Sequence, residues 1–148
     1  MRISTKGRYA LASMITMAQY YRCGECITVI SISEKLGISK IYLEQVFSLL
    51  KRGGLVTSIK GAQGGYQLSR SPEEITAYDV LSAVEVSLFE NTEDTVSETS
   101  PSIESAMRSA VFEPIGDAIK GTLSKIDLNE LMNEAERQKA PENLMFFI

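Results

Sequence analysis

Ile41, Glu44, Gln45 and Ser48 fall on one side of a stretch whose other side is apolar, and their types suit the reading of DNA bases. At 100° per residue, Leu43, Val46, Phe47 and Leu50 gather within about 60° of one direction, which leaves the four facing away. Glutamine pairs bidentately with adenine, glutamate accepts from cytosine N4, and an exposed isoleucine packs on a thymine methyl group. Lys40 and Lys51 stand toward the edges of that face, where phosphates run, and Tyr42 lies on its flank with a hydroxyl to offer one. Ser39 opens the stretch as a cap and completes the contact set. A merely solvated helix face is the alternative, and it accounts poorly for the apolar Ile41.

A second group follows. Lys60 enters the loop Gly61-Ala-Gln-Gly-Gly65, in which Gln63 is the long polar side chain at the tip, Gly64 keeps the loop slim and Tyr66 closes it. Such a loop suits the minor groove, where contacts separate A·T from G·C and sense groove width. Arg2, Lys6 and Arg8 precede the apolar pattern of the first helix and suit phosphate clamping, against an alternative role in solubility.

Other chemistries find little support. The chain has no histidine and two cysteines, Cys23 and Cys26, in a single CxxC. Structural zinc needs four ligands, which this pair cannot supply within one chain. Two reduced cysteines at a helix end is one reading, and a thiol switch the other. There is no histidine for acid–base work, no phosphate-binding glycine fingerprint ahead of a helix and no nucleophile elbow. A non-enzyme without a cofactor is expected.

The elements that must position these groups follow from periodicity. Leu11, Met14, Ile15 and Ala18 mark a first helix from Tyr9 to about Tyr21. Thr28 caps a short second helix with Val29, Ile32 and Leu36 inward, and Gly37 breaks it. The third helix runs from Ser39 to about Arg52, stopped by Gly53-Gly54 in the left-handed region. Two short helices around a tight glycine turn form a helix-turn-helix. Leu55–Lys60 and Tyr66–Arg70 alternate as strands of a hairpin wing.

Thr76 caps a fourth helix carrying Val80, Ala83 and Val84. Residues 87–102 are polar, acidic and aperiodic, and predict a flexible loop. Ile103 to Leu123 form a long helix with Ile103, Met107, Ala110, Val111, Ala118 and Ile119 on one side, kinked at Pro114. A last helix from Leu128 to about Lys139 leads to Pro141 and the apolar segment Leu144-Met-Phe-Phe-Ile148. The expected fold is mainly α with a small β-hairpin wing. It comprises a winged helix-turn-helix domain over 1–85, an acidic loop over 86–102 and a dimerisation unit over 103–148. The long helix has no intrachain surface large enough to cover it, so a homodimer is predicted.

Charge divides the 148 residues in the same way. Residues 1–70 carry ten Lys/Arg against three acids, a net +7, and residues 71–148 five against sixteen, a net −11. The first half suits a polyanion, and the second avoids one. No run approaches a membrane span and the N-terminus lacks a signal-peptide core, so a cytoplasmic protein is expected.

Met-Arg-Ile-Ser-Thr-Lys-Gly-Arg-Tyr-Ala at the start, Tyr42-Leu-Glu-Gln45, Gly54-Leu-Val56 and Gly61-Ala-Gln-Gly-Gly-Tyr66 together resemble the Rrf-two family of winged-helix transcription regulators. The resemblance spans the chain, is specific over residues 1–85 and is looser beyond, at Leu123-Ser-Lys-Ile-Asp-Leu128. It implies dimeric repressors on palindromic double-stranded DNA, with Tyr42, Glu44 and Gln45 at contact positions and Lys60 in the wing. Cluster-binding members carry three cysteines in the loop before the long helix; residues 84–105 here contain none. Val86 also replaces a glycine frequent in the family.

The family's repressor of cysteine metabolism also lacks those cysteines and shares an aromatic-rich ending. That likeness implies control through cysteine synthase (O-acetylserine thiol-lyase), with Phe146, Phe147 and Ile148 as the contact and a C-terminal carboxylate suited to capture. Packing of this segment on the dimer is the alternative. Two further readings stay open: a regulator sensing thiols or a small ligand, and an interaction subunit that no longer reads DNA.

Overall fold

The computed structural model describes residues 2–145 apart from 22, 25 and 62–64, with side chains described through residue 139. Its elements run α1 (Thr5–Tyr21), α2 (Val29–Leu36), α3 (Lys40–Arg52), β1 (Val56–Ile59), β2 (Gly65–Leu68), α4 (Ala77–Val84), α5 (Pro101–Met107), α6 (Glu113–Ser124) and α7 (Leu128–Met145). Short 3-10 turns lie at Pro72–Glu74 and Val86–Phe89, and a π-turn over Arg108–Phe112 joins α5 to α6.

Local chemistry sets the helix-turn-helix. Thr28 accepts the Ser31 N–H at 3.0 Å and so caps α2, as expected. Gly37 ends it at φ 68°, and the N–H groups of Gly37 and Ile38 both donate to the Ser33 carbonyl, closing the last turn. Ser39 then caps α3, with the Tyr42 N–H 3.4 Å from its hydroxyl. The stop of α3 belongs to Gly54 alone (φ 76°), since Gly53 stays right-handed at φ −75°. Leu43, Val46, Phe47 and Leu50 are the residues α3 buries.

The strands pair antiparallel, Val56 with Leu68 through Ile59 with Gly65. They gain a third edge that periodicity did not suggest. Ile27 and Tyr66 exchange backbone hydrogen bonds at 3.0 and 2.8 Å, so the link between α1 and α2 braces β2 near the loop end of the hairpin.

Helix α1 begins four residues before the expected Tyr9 and buries a stripe rotated from the expected one. Ala10, Met14, Met17 and Ala18 are buried with Ser13 and Thr16, whereas Leu11 and Ile15 are half-buried. Small and hydroxyl side chains fit where α1 meets α3, α4 and α7. Thr76 and Asp79 form a capping box at α4.

The acidic segment carries specific bonds. The buried Glu104 accepts the N–H groups of Thr95 and Val96 at 2.9 and 3.3 Å, and Arg108 reaches the Thr92 carbonyl and Asp94. Immediately before Pro114, where a kink is expected, the helix widens into a π-turn. The Glu113 N–H donates five residues back to the Arg108 carbonyl. Helix α7 returns to the head, where Leu128 and Met132 join the core and Leu128 N–H meets the Ile75 carbonyl at 2.9 Å. It also continues past the expected end near Lys139, through Pro141.

Candidate nucleic-acid interface

Burial of one face of α3 leaves the other to solvent. Ile41 is 71% exposed, and Glu44, Gln45, Ser48, Lys51 and Ser39 are exposed beside it. Ile41, Glu44, Gln45 and Ser48 thus share one face, as the 100° spacing predicts. Lys40 lies 3.7 Å from Glu44 one turn on, an exposed pair that orients both side chains at little energetic gain. The Ser39 hydroxyl is engaged by the helix it caps. Tyr42 is half-buried, its ring edge-on to Tyr9 at 5.3 Å, which fixes the ring against α1.

At the hairpin, Lys60 is exposed immediately before Gly61. Gln63 and Gly64 lie outside the described residues, as do Phe146, Phe147 and Ile148. The half-buried ring of Tyr66 packs on Phe47 with centroids 4.9 Å apart. It locks the hairpin to α3.

The basic groups before and in the first turn of α1 sit on the same side of the molecule as the start of α3. An open cleft of about 620 Å³ is lined by Ser4, Thr5 and Lys6, by Tyr42 and Gln45, and by Val84–Ser87 with Glu90. Arg2 and Arg8 line a groove beside it, and the Arg8 guanidinium donates to the Thr5 hydroxyl at 3.0 Å. Arg70, one of the ten cations of residues 1–70, is engaged within the head. It faces Asp79 at 3.5 Å and donates to the Glu74 carbonyl, so it braces α4. Glu85, at the floor of the cleft, was not singled out from the sequence. Its partner, Ser4, is 81 residues away, and no local pattern signals such a bond.

A smaller cavity of about 290 Å³ lies between the Val86–Phe89 turn and the π-turn. Tyr78, Phe89 and Phe112 supply aromatic walls, with Arg108, Asp117 and Lys120 among the charged ones. Cys23 is exposed and Cys26 half-buried, both as free thiols. No described helix is long and apolar enough to cross a membrane.

Comparison with known proteins fits this geometry. Residues 3–134 match the family model described as Rrf2, iron-dependent transcriptional regulator. The chain is 38% identical over 92% of its length, and 82% of the relative's, to the HTH-type transcriptional regulator IscR of Photorhabdus laumondii. Among solved structures it superposes on CymR (YrzC), the global cysteine regulator of B. subtilis, with a TM-score of 0.74. Identity there is 36%, covering 90% of this chain and 98% of that one. It superposes on T. potens IscR with a TM-score of 0.73 at 32% identity, covering 94% of this chain and 91% of that one. These structures share its winged-helix architecture.

The iron in the family's description calls for a ligand set. The two cysteines lie at the end of α1, the chain has no histidine, and the segment over 84–105 contains no thiol. Among the described residues no three histidine, cysteine or carboxylate side chains converge as metal ligands. The donors present do not fit a thiolate-held iron–sulfur cluster. With its helix-turn-helix, its hairpin wing and a match over most of its length, the chain belongs to the Rrf2 family of transcriptional regulators.

Proposed function

We propose that this chain is a homodimeric repressor that reads palindromic double-stranded DNA, with α3 in the major groove and the hairpin at the minor groove. The exposed set Ile41, Glu44, Gln45 and Ser48 on a helix whose opposite face is wholly buried carries this reading. Lys40, Lys51, Lys60, Arg2, Lys6 and Arg8 supply phosphate contacts, Ser39 and Tyr42 the helix-start contacts, and Gln63 and Gly64 the wing tip. Tyr66 contributes by fixing the wing. The dimer is supported by the uncovered apolar side of the α5–α6 rod, where Ile103, Val111 and Ile115 are exposed.

The regulated genes are those of cysteine and sulfur metabolism. The supporting observations are the likeness to CymR, titled the global cysteine regulator of B. subtilis, and the lack of cluster cysteines. The partner that tunes it is cysteine synthase, met by the apolar segment Leu144–Ile148. Pull-down of cysteine synthase by the wild type, lost on replacing Phe146 and Phe147 by alanine, is the expected result; equal capture by both forms contradicts this contact.

The DNA reading is tested by measuring operator affinity across a salt series. Gln45→Ala relaxes base preference at its position, and Lys60→Ala weakens all sequences alike and flattens the salt dependence by about 1 unit per protomer. Indifference to both substitutions refutes it. The cavity between Tyr78, Phe89 and Phe112 favours a second reading of the input, direct sensing of a small ligand. Stabilisation of the protein by cysteine or its precursors without cysteine synthase, lost in Lys120→Ala, would favour it.

A further inference from the structure

We infer that Glu85 is a positioning residue that holds the N-terminal arm of the DNA-binding head to the segment beginning at Val86. This rests on the DNA-binding reading above and concerns how the arm is set.

Glu85 is 8% exposed, and the Ser4 N–H donates to its Oε1 at 2.6 Å. Ser4 is the residue on which α1 starts: its hydroxyl accepts the Gly7 N–H at 3.1 Å and its carbonyl the Arg8 N–H at 3.0 Å. The carboxylate therefore grips the head of a 17-residue helix at its positive end. Its other oxygen, Oε2, is buried without a hydrogen-bond partner among the described residues, an arrangement that costs free energy and that a packing residue would not need. Gly7 leaves room for it. A Cβ there would lie 2.3 Å from Oε2.

The backbone of the same residue belongs to the other side of the link. Its N–H donates to the Leu81 carbonyl at 2.7 Å, ending α4, and its carbonyl accepts the Leu88 N–H at 3.2 Å, starting the Val86–Phe89 turn. One residue thus joins α4, that turn and the start of α1. Lys6, Glu90 and Gln45 are the charged and amide side chains that share the cleft beside it. A displacement of the turn is carried through Oε1 to Ser4, and with it to Arg2, Lys6 and Arg8.

The test uses the full-length protein and a duplex that the wild type selects, with affinity measured over a salt series. Glu85→Ala is expected to weaken binding by about tenfold and to reduce the salt slope by about 1–3 units per protomer, as phosphate contacts of the arm are lost. The base preference that depends on Gln45 stays. Glu85→Gln keeps an acceptor for Ser4 and retains most of the affinity. Gly7→Ala drives a methyl group into Oε2 and weakens binding in the same direction as Glu85→Ala, and in the Glu85→Ala background it retains only the part of its effect due to Ile3 Cγ2 and Leu81 Cδ2, 2.9 and 3.1 Å from the added carbon.

An unchanged affinity and slope in Glu85→Ala overturns the inference. Should Glu85→Ala fail to fold, Glu85→Gln paired with Gly7→Ala carries the same test: wild-type slopes in both overturn it. Failure of the wild type to prefer any duplex refutes the DNA reading instead, which keeps the two claims separable.

Discussion

Helices α3 and α6 are both amphipathic, yet only α3 has its apolar face buried within the chain; α6 touches α4 and stays largely uncovered. Helix α3 buries Leu43, Val46, Phe47 and Leu50 and offers solvent a mostly polar face, whereas α6 buries none of its residues and leaves Ile115 55% exposed. Amphipathic sequence therefore says that a face needs cover, and the fold says who provides it. For α3 the cover is α1, α2, α4 and the hairpin. For the rod it is a second copy of the chain in the reading proposed above.

The largest effects should separate the two helices by their cover. Phe47→Ala removes a fully buried ring against which Tyr66 packs, and is expected to cost about 3–5 kcal/mol. Thermal unfolding checks this, and the loss should not depend on protein concentration. Ile115→Glu, alone or with Val111→Glu, should leave the head folded and convert dimer to monomer in analytical ultracentrifugation. If the double variant sediments as the wild type does, the apolar side of the rod is not the dimer seam. Unfolding of the wild-type dimer should also be concentration-dependent, and that of Ile115→Glu should not.

Smaller effects sharpen the outer face of α3. Gln45→Ala and Ile41→Ala should each lose about 1–3 kcal/mol of discrimination at the base they contact, seen in competition binding. Stability should move by less than about 0.5 kcal/mol, since neither side chain is buried. A base preference that survives both changes would return this face to plain solvent exposure. Thr28→Ala should cost about 1 kcal/mol of stability by removing the α2 cap, with no change in base preference.

How much of this was legible in the sequence follows the distance over which each feature is determined. The turn between α2 and α3 could be read because Thr28, Gly37 and Ser39 act within a few residues of themselves. The start of α1 could not. Thr5-Lys6-Gly7-Arg8 reads as polar with a glycine, and what stabilises it is Glu85, far along the chain. The buried stripe of α1 was misjudged because Ser13 and Thr16 lie inside, where α1 packs against other helices and small side chains fit.

The acidic segment offered no periodicity, and its ties to Glu104 and Arg108 are side-chain bonds across 8 to 16 residues. Tyr66 is a contact candidate from its place beside the glycine loop. Strand pairing alone leaves either face open, and the Phe47 ring decided it. In the candidate site, the outward set on α3 was fully readable, since one helix face is defined by the burial of the other. Arg70 was counted among the cations of a basic half, but its pairing with Asp79 depends on how α4 docks.

The central question for this protein is whether the exposed face of α3, presented twice by a dimer, reads DNA. The most direct measurement is a selection of binding sites from a random duplex pool by the purified wild type and by Gln45→Ala in parallel. We expect the wild type to enrich a two-fold palindrome, and Gln45→Ala to lose preference at one symmetry-related pair of positions while keeping the rest. Enrichment of no sequence, or of a site without two-fold symmetry that Gln45→Ala selects equally well, would contradict it.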